Sequence, residues 1–160
     1  MKTGLSLITA FIIFLAGCAG SKEARTLKKS IDGNWNLETV TIEGNSSILN
    51  VKVFNEADNK CFIGSSWNFI GNNGTGSYTL LEGKGGCTGL TRKIHWTIYE
   101  PEGEEKRFQF KRLDDKGNPL DDNNGYRLTI SSLTETTMKL TSRITYENKP
   151  VDIVYNFVKK

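Results

Sequence analysis

Apolar and polar residues alternate with a period of two over most of the chain after residue 31. In 94–99, for example, Ile94, Trp96 and Ile98 share one face. The same alternation recurs in 107–112, 126–130, 138–145 and 151–158. Such alternation is typical of strands that bury one face. No stretch sustains a helical period with proper caps, so the pattern predicts an all-β chain.

Turn-forming residues separate these segments at short intervals. Examples are the stretches 72–74 (NNG), 115–118 (DKGN) and 123–125 (NNG). These residue types favour tight turns, and short connections join antiparallel neighbours. The pattern predicts nine strands, near 34–43, 48–55, 64–70, 75–81, 92–99, 105–112, 125–131, 136–145 and 150–158. Residues 56–64 are expected to form an irregular crossing or a short helical turn.

The first predicted strand changes parity along its length. Trp35 and Leu37 lie on one face, whereas Val40 lies in the opposite register. A bulge near residues 38 and 39 would restore the alternation and bend the strand, as a closing sheet requires. A meander of eight or nine strands can close into a barrel or stack as a sandwich. Sequential hairpins favour an eight- to nine-stranded antiparallel up-and-down β-barrel over residues 31–160.

The first residues have the composition of a secretory signal. Lys2 precedes an apolar run at 5–15, which is shorter than the ~20 residues that a membrane-spanning helix needs. Residues 15–18, with the sequence LAGC, resemble the bacterial lipobox, in which the cysteine is acylated and the chain is cut just before it. The resemblance implies a lipoprotein signal peptide at 1–17 and a mature chain that begins at lipidated Cys18. The alternative is an ordinary signal peptide with an incidental cysteine.

Residues 18–30 are expected to be a lipidated tether. This segment is basic, with small residues and no recognised apolar period. Its charge could rest on anionic headgroups, although a solvated linker is the simpler interpretation. Two or more acyl chains, palmitate among them, anchor a protein stably. The expected location is the bacterial envelope, at the outer membrane, on its periplasmic face or at the cell surface.

Composition and charge favour a globular domain and argue against nucleic-acid binding. The chain has 160 residues, of which 37% are hydrophobic and 24% charged, as expected for one globular domain. Its 21 basic and 18 acidic residues are scattered along the chain. Nucleic-acid binding is not expected, because it requires a clustered basic surface.

Two cysteines, Cys61 and Cys87, remain after lipidation of Cys18. Beyond the inner membrane they would face an oxidising space, so a disulfide is expected. Closing that loop would stabilise the fold by roughly 3.5 kcal/mol in the chain-entropy treatment. A reactive pair or a metal site is the alternative. It lacks ligands, because His95 is the only histidine and no C-x-x-C motif occurs.

The remaining polar residues predict no catalytic chemistry. His95 has no partner indicated and is expected at the surface. The acidic stretches 114–115 and 121–122 lack the spacing and the terminal glutamate of an EF-hand, and are expected to form turns. We therefore expect no enzyme activity, no metal and no cofactor.

Several segments are similar to a known family. Residues 33–35 (GNW) resemble the G-x-W motif of lipocalins. Together with 61–80, 94–98 and 125–140, they resemble the lipocalin-like lipoproteins of Bacteroidetes over about residues 31–158. The resemblance implies an eight-stranded barrel whose closed end is plugged by Trp35. In lipocalins an arginine from a late strand packs over this tryptophan, but parity directs Arg127 and Arg143 outward, so no arginine is assigned.

Aromatic side chains dominate the predicted inward face. The candidate ligand-binding residues are Trp67, Phe69, Tyr78, Trp96, Phe108, Phe110, Tyr126 and Tyr155. They could line an apolar pocket or simply fill the core, since small barrels occur in both states.

The expected function is that of a membrane-anchored envelope lipoprotein that binds a small hydrophobic or amphipathic ligand. The alternative is a structural or protein-interaction module with a filled core. Such a module would contact a partner or inhibit an enzyme through open-end loops near 45–50, 71–75, 101–104 and 114–124.

Overall fold

The computed structural model describes residues 21–44, 50–83, 85–146 and 148–160. The signal peptide, Cys18 and the start of the tether lie outside the described residues, so cleavage and acylation stay predictions. Within the described ranges, no helix has the length and apolar character needed to cross a bilayer.

Eight strands close into one antiparallel barrel, in the spatial order β1-β10-β9-β8-β7-β6-β5-β4. The strands are β1 (Gly33–Glu43), β4 (Ser66–Ile70), β5 (Thr75–Leu80), β6 (Leu90–Tyr99), β7 (Arg107–Leu113), β8 (Tyr126–Leu133), β9 (Thr137–Tyr146) and β10 (Lys149–Lys159). From β4 to β10 each strand pairs with the next along the chain, and β1 closes the ring between β10 and β4. The predicted up-and-down β-barrel is confirmed.

Strand β1 contains the predicted bulge. Its register against β10 shifts between Leu37 and Thr39. Because of the extra residue, Trp35, Leu37 and Val40 are all buried. The shift lets one strand keep its apolar side chains inside while it curves around the barrel.

Four short elements lie outside the barrel wall. They are β2 (Lys52–Val53), β3 (Ala57–Asp58), the helix α2 (Asn59–Phe62) and a 3-10 turn at Asp121–Asn123. Helix α2 confirms the short helical turn expected within 56–64. The predicted strand at 48–55 is wrong for most of its described part, because only residues 52 and 53 are in a strand and they pair with β3 alone. We call residues 51–58 the lid hairpin.

The segment expected to be a solvated tether is helical over most of its length. Helix α1 (Lys22–Ile31) begins after Ser21, whose hydroxyl accepts a hydrogen bond from the backbone N–H of Ala24. Ala24 and Ile31 are buried, and Leu27 packs against the same core. These apolar residues share one helix face, and burial of that face against the barrel stabilises the helix. The basic residues of the segment obscure this apolar pattern in the sequence.

The two ends of the barrel are covered by different parts of the chain. Helix α1 covers one end, which we call the closed end. There Lys106 pairs with Glu23, and the backbone N–H of Gly71 donates to Asp32 at 2.6 Å. The lid hairpin covers the other end, which we call the mouth.

This arrangement corrects the grouping of loops in the interaction hypothesis. The 71–74 turn and the 100–106 connection lie at the closed end. The 114–125 connection lies at the mouth, together with the lid hairpin. Successive connections of an up-and-down barrel alternate between its ends, so these loops cannot form one surface. Most of 45–50 lies outside the described residues.

Candidate functional site

The predicted ligand-binding residues face the barrel interior. Seven of the eight are buried, and Tyr126 is half-buried at the mouth. Their rings pack against one another: the Trp67 and Tyr78 centroids are 4.6 Å apart, and those of Trp96 and Phe108 5.5 Å. The alternation of inward and outward residues therefore placed these side chains correctly, whereas their role in ligand binding stays a prediction.

The lid hairpin inserts Phe54 into this aromatic interior. The Phe54 ring lies 5.0 Å from Phe110, 5.2 Å from Tyr155 and 5.3 Å from Tyr126, centroid to centroid. It also contacts Phe62 of α2 at 5.4 Å. Only 7% of Phe54 is exposed, so a loop residue that is no part of the wall fills the mouth.

The backbone at the tip of the lid hairpin has an unfavourable conformation. Phe54 and Asn55 have φ angles of 51° and 48°, in the left-handed region. Asparagine tolerates this region, but a bulky aromatic residue is rarely found there, and the conformation costs about 1–2 kcal/mol. Phe54 is therefore held in place by its surroundings, and strain of this kind clusters at switch regions and ligand clamps.

Polar contacts hold the lid hairpin against the wall. Oε2 of Glu56 accepts hydrogen bonds from the hydroxyl of Tyr78 at 2.6 Å, Nε of Arg92 at 2.8 Å and a terminal nitrogen of Arg112 at 2.8 Å. Oε1 accepts a second bond from Arg92 at 2.9 Å. The Glu56 side chain is 8% exposed, so this carboxylate is desolvated and fully paired.

A second carboxylate completes the polar cluster. Arg112 donates two hydrogen bonds to Asp121, at 2.9 and 2.6 Å. The hydroxyl of Tyr126 donates to Asp121 at 3.0 Å, and the side-chain amide of Asn55 donates to it at 3.5 Å. Arg112 thus bridges the lid carboxylate and the 114–125 connection. We call Glu56, Tyr78, Arg92, Arg112 and Asp121 the mouth cluster.

The mouth cluster changes the proton affinity of its members. Burial alone would raise the pKa of Glu56, but the hydrogen bonds from Arg92, Tyr78 and Arg112 outweigh it and hold the pKa at about 2, below the ordinary 4.5. Burial and the bond to Glu56 raise the pKa of Tyr78 far above its ordinary value. The bonds from Arg112 lower the pKa of Asp121. At neutral pH both carboxylates are therefore charged, and Tyr78 stays protonated and donates its hydrogen bond to Glu56.

Sequence reasoning placed Tyr78 inside the barrel but missed its charged partners in the mouth cluster, although part of their signal was present. Arg112 has the same parity as the inward-facing Phe108 and Phe110, and Arg92 has that of Ile94 and Trp96. Arginines in phase with a buried face predict a buried anion. No local pattern identified the partner, because the lid hairpin is short and irregular.

A cleft opens beside the lid hairpin. Strands β8 and β9 pair only from Thr129 and Thr141 toward the closed end, so their mouth-side ends diverge. The gap between them holds a cavity of about 290 Å³. Its apolar lining includes Phe54, Tyr126, Leu128, Ile144, Ile153 and Tyr155. We call it the mouth cleft, and Phe54 separates it from the centre of the aromatic interior.

The closed end holds the tryptophan that the lipocalin resemblance singled out. Trp35 is completely buried, and its indole N–H donates to the carbonyl of Ile31 at 2.7 Å. The position that the resemblance gave to an arginine is taken by Lys159, whose Nζ lies 5.1 Å from the Trp35 ring centroid and donates to the carbonyl of Ser30. Arg143 is exposed and pairs with Asp152, as its parity indicated.

The expected disulfide is confirmed. Cys61 of α2 and Cys87 of the β5–β6 connection are bonded, with their Cα atoms 5.5 Å apart. The bond joins the residues that follow the lid hairpin to the wall at the mouth. It therefore fixes the base of the lid and leaves its tip to the mouth cluster.

The other polar candidates occupy the positions expected of them. His95 is exposed on the outer face of β6. The carboxylate of Asp114 accepts hydrogen bonds from the backbone of Lys116 and Asn118, as in a tight turn. Within the part of the chain that the structure covers, no three His, Cys, Asp or Glu residues are grouped as a metal site would need.

Comparisons with known proteins find only a distant structural likeness. No family model matches the sequence, and no curated protein matches it. A solved structure of bovine odorant-binding protein with a selenium-containing odorant has a TM-score of 0.44 at 12% identity, over 83% of this chain and 72% of that one. A deswapped triple mutant of bovine odorant-binding protein gives 0.43 at 14% identity, over 82% of this chain and 74% of that one. The likeness is distant, and the barrel assignment rests on the strand pairing described above.

Proposed function

We propose that this chain is an envelope lipoprotein that binds a small hydrophobic or amphipathic molecule at the mouth of its barrel. The observation that carries the proposal is the lid hairpin, which places a strained aromatic residue in the mouth and holds it by polar contacts. Backbone strain of this kind clusters at switch regions and ligand clamps, which supports a mouth that opens.

The apolar lining beside the lid supports a binding site. The mouth cleft has about 290 Å³, near the lower limit of ~300 Å³ for small-molecule pockets. Withdrawal of Phe54 would join the cleft to the space among Phe62, Trp67 and Phe110. Trp67 and Phe110 lie on paired barrel strands and Phe62 on disulfide-bonded α2, so the enlarged site would keep its aromatic lining when the lid opens.

Binding of a neutral apolar probe tests the proposal. The full chain, in phospholipid nanodiscs, is titrated with N-phenyl-1-naphthylamine against empty nanodiscs. We expect saturable fluorescence enhancement. Ile144→Trp, which fills the cleft, should weaken binding by roughly tenfold, the effect of losing about 1.4 kcal/mol. Thr145→Trp, on the exposed face of the same strand, is the matched control and should bind as the wild type does.

Two results would contradict the proposal. One is the absence of saturable binding, together with native mass spectra of gently extracted protein that show no bound small molecule. The other is equal binding by the two tryptophan variants, which would place the probe outside the mouth. A single stoichiometric protein partner in the same extracts would then favour the interaction module.

The membrane anchor is a separate part of the proposal. It is supported by the apolar run at 5–15 and by Cys18 in its LAGC context. The full chain expressed in a diderm bacterium should incorporate labelled palmitate and partition into detergent, and Cys18→Ala should do neither. Incorporation that persists in Cys18→Ala would overturn the anchor without affecting the binding proposal.

A further inference from the structure

The mouth cluster is electrically balanced only while the lid is closed. It contains two guanidinium groups, Arg92 and Arg112, and two carboxylates, Glu56 and Asp121. When the lid hairpin leaves, Glu56 leaves with it, and the wall keeps one uncompensated positive charge. Arg92 would then lose its carboxylate partner while Arg112 keeps Asp121, so the open barrel offers a site for one negative charge.

The side chains that would bind this negative charge lie on barrel strands and stay in place when the lid hairpin leaves. Tyr78 lies on β5, Arg92 on β6 and Arg112 on β7, and these three strands are paired side by side. Arg112 is 6% exposed and is also held by Asp121. The lid hairpin, in contrast, has only two pairs of partners within its own sheet. The hydrogen-bond donors are therefore preorganised on the barrel wall. The carboxylate that accepts their bonds lies on the lid hairpin and can be replaced.

The lid hairpin carries an apolar group and an anion on neighbouring positions. Phe54 enters the aromatic interior, and Glu56, two residues later, meets the two arginines and Tyr78. One chain segment thus satisfies both the apolar and the cationic surfaces of the mouth. A molecule with the same two features would satisfy both at once.

We propose that the ligand is an amphiphile with a carboxylate head group, which replaces Glu56 on Tyr78, Arg92 and Arg112 while its apolar part replaces Phe54. This inference rests on the proposed binding function and adds the chemical class of the ligand. The lid hairpin is then an internal competitor that occupies the site until the ligand arrives. Release of the strained backbone at Phe54 favours the exchange.

The geometry favours a carboxylate over other anions. Arg92 binds both oxygens of Glu56 in the two-point arrangement that a guanidinium forms with a carboxylate. A single charge restores the balance of the mouth cluster, whereas a dianionic phosphate exceeds it. An amine at the same position would face two guanidinium groups.

Paired probes test the head group. The full chain in nanodiscs is titrated with an 18-carbon polyene fatty acid and with its methyl ester, followed by energy transfer from the protein's tryptophans. We expect the acid to bind at least roughly tenfold more tightly than the ester, as for the loss of a hydrogen-bonded charge pair. A chain-matched alkylamine should not displace the acid.

Two variants of the mouth cluster should change the acid-to-ester ratio, which is the affinity for the acid divided by that for the ester, in opposite directions. Arg92→Met should reduce the ratio toward one. Glu56→Gln, which removes the internal competitor, should raise it by about tenfold. Lys139→Met removes one positive charge from the outer face of β9 and should leave the ratio unchanged. Arg112→Met would test the same contact, but Arg112 is buried and Arg92 is partly exposed. Arg92→Met therefore remains informative if Arg112→Met fails to fold.

The outcomes separate this inference from the binding proposal. Equal affinity for acid and ester, with no change in Arg92→Met, overturns the carboxylate and leaves the binding barrel intact. Failure of both probes while N-phenyl-1-naphthylamine still binds overturns this inference alone, and failure of all three probes overturns both proposals. Displacement of the acid by the alkylamine would show that the apolar part alone decides binding.

Discussion

The two ends of the barrel are closed by different physical means. At the closed end, helix α1 is continuous with β1, and Trp35 bonds to a carbonyl only four residues away. At the mouth, Glu56 reaches Tyr78 and Arg92, which lie 22 and 36 residues along the chain. The closed end is covered by a helix that leads directly into a barrel strand, with polar contacts such as that of Lys106 to Glu23 around it. The mouth is covered by a short hairpin, which is held by Phe54 and by a cluster of charged side chains.

This difference indicates which end can open. Undocking α1 from the barrel would expose Trp35 together with Leu27 and Ile31 of the helix itself, so that end is part of the folding unit. Moving the lid hairpin breaks no barrel strand pair, because β2 and β3 pair only with each other. Sub-global opening occurs where contacts are few and are not shared with the main sheet. The mouth is therefore the end at which the proposed ligand would exchange.

The largest effect is expected at the closed end. Trp35→Ala should destabilise the protein by about 4 kcal/mol, through lost burial and a cavity beneath α1. Equilibrium denaturation of the full chain in detergent measures the change. Asn36→Ala, the next residue along the strand, should cost less than about 0.5 kcal/mol. A loss near 1 kcal/mol for Trp35→Ala would contradict the assignment of this end to the folding unit.

The corresponding change at the mouth should cost less. Phe54→Ala should destabilise the protein by about 2 kcal/mol, below the roughly 3–5 kcal/mol typical of buried phenylalanine, because the hairpin can shift to fill the space. Hydrogen exchange should accelerate in the lid hairpin and remain slow in β9 and β10. If Phe54→Ala costs as much as Trp35→Ala, the two ends are equally structural.

Acid should weaken the mouth through Glu56. The folded pKa of Glu56, about 2, lies below its ordinary value of 4.5, so its contribution to stability is complete above pH 4.5 and is lost as the pH falls toward 2. Glu56→Gln should be less stable than the wild type at neutral pH, and the gap should narrow across this interval. Denaturation of both proteins at several pH values measures it. A gap that does not change with pH would mean that this carboxylate is not specifically stabilised in the folded protein.

The smallest effect concerns the cation over Trp35. Lys159→Met should cost about 1 kcal/mol, because the ammonium loses its contact with the ring and its bond to Ser30. Lys160→Met, which removes the same charge one residue later, is the control and should be neutral. Equal losses in the two variants would assign the effect to net charge instead of the ring contact.

The barrel could be predicted because its signal is local. Alternation in segments such as 94–99 reports directly which side chains face the interior, and the parity change in β1 placed the bulge between Leu37 and Thr39. The disulfide followed from the count of cysteines in a chain that was predicted to be exported. Each of these inferences needs only a few neighbouring residues and a general rule about burial.

Helix α1 was missed although its spacing was present. Ala24, Leu27 and Ile31 recur at intervals of three and four, after a serine that caps the first turn. Four basic residues in 22–29 favoured the interpretation as a solvated linker. The helix is stabilised by the barrel against which it packs. The surface of the barrel is formed by residues far along the chain, so the local sequence does not reveal it.

The lid could not have been found by pattern alone. The arginines of the mouth cluster were in phase with buried residues, which is a usable signal. Glu56 lies in a hairpin with only two paired residue positions, and the φ angle of Phe54 is one that bulky residues rarely adopt. The position of the lid hairpin therefore follows from tertiary contacts that override local backbone preference.

The docking of Ser21 also determines which way an anchored barrel would point. Its backbone N–H donates to Glu100 at the closed end, 3.3 Å away. Cys18 is three residues earlier, and three residues span at most ~10 Å. With the proposed acyl chains on Cys18, the base of the barrel would rest on the lipid headgroups and the opposite rim would face the aqueous compartment. Cargo would then be received from water or from a soluble donor, and not by sideways diffusion out of the leaflet.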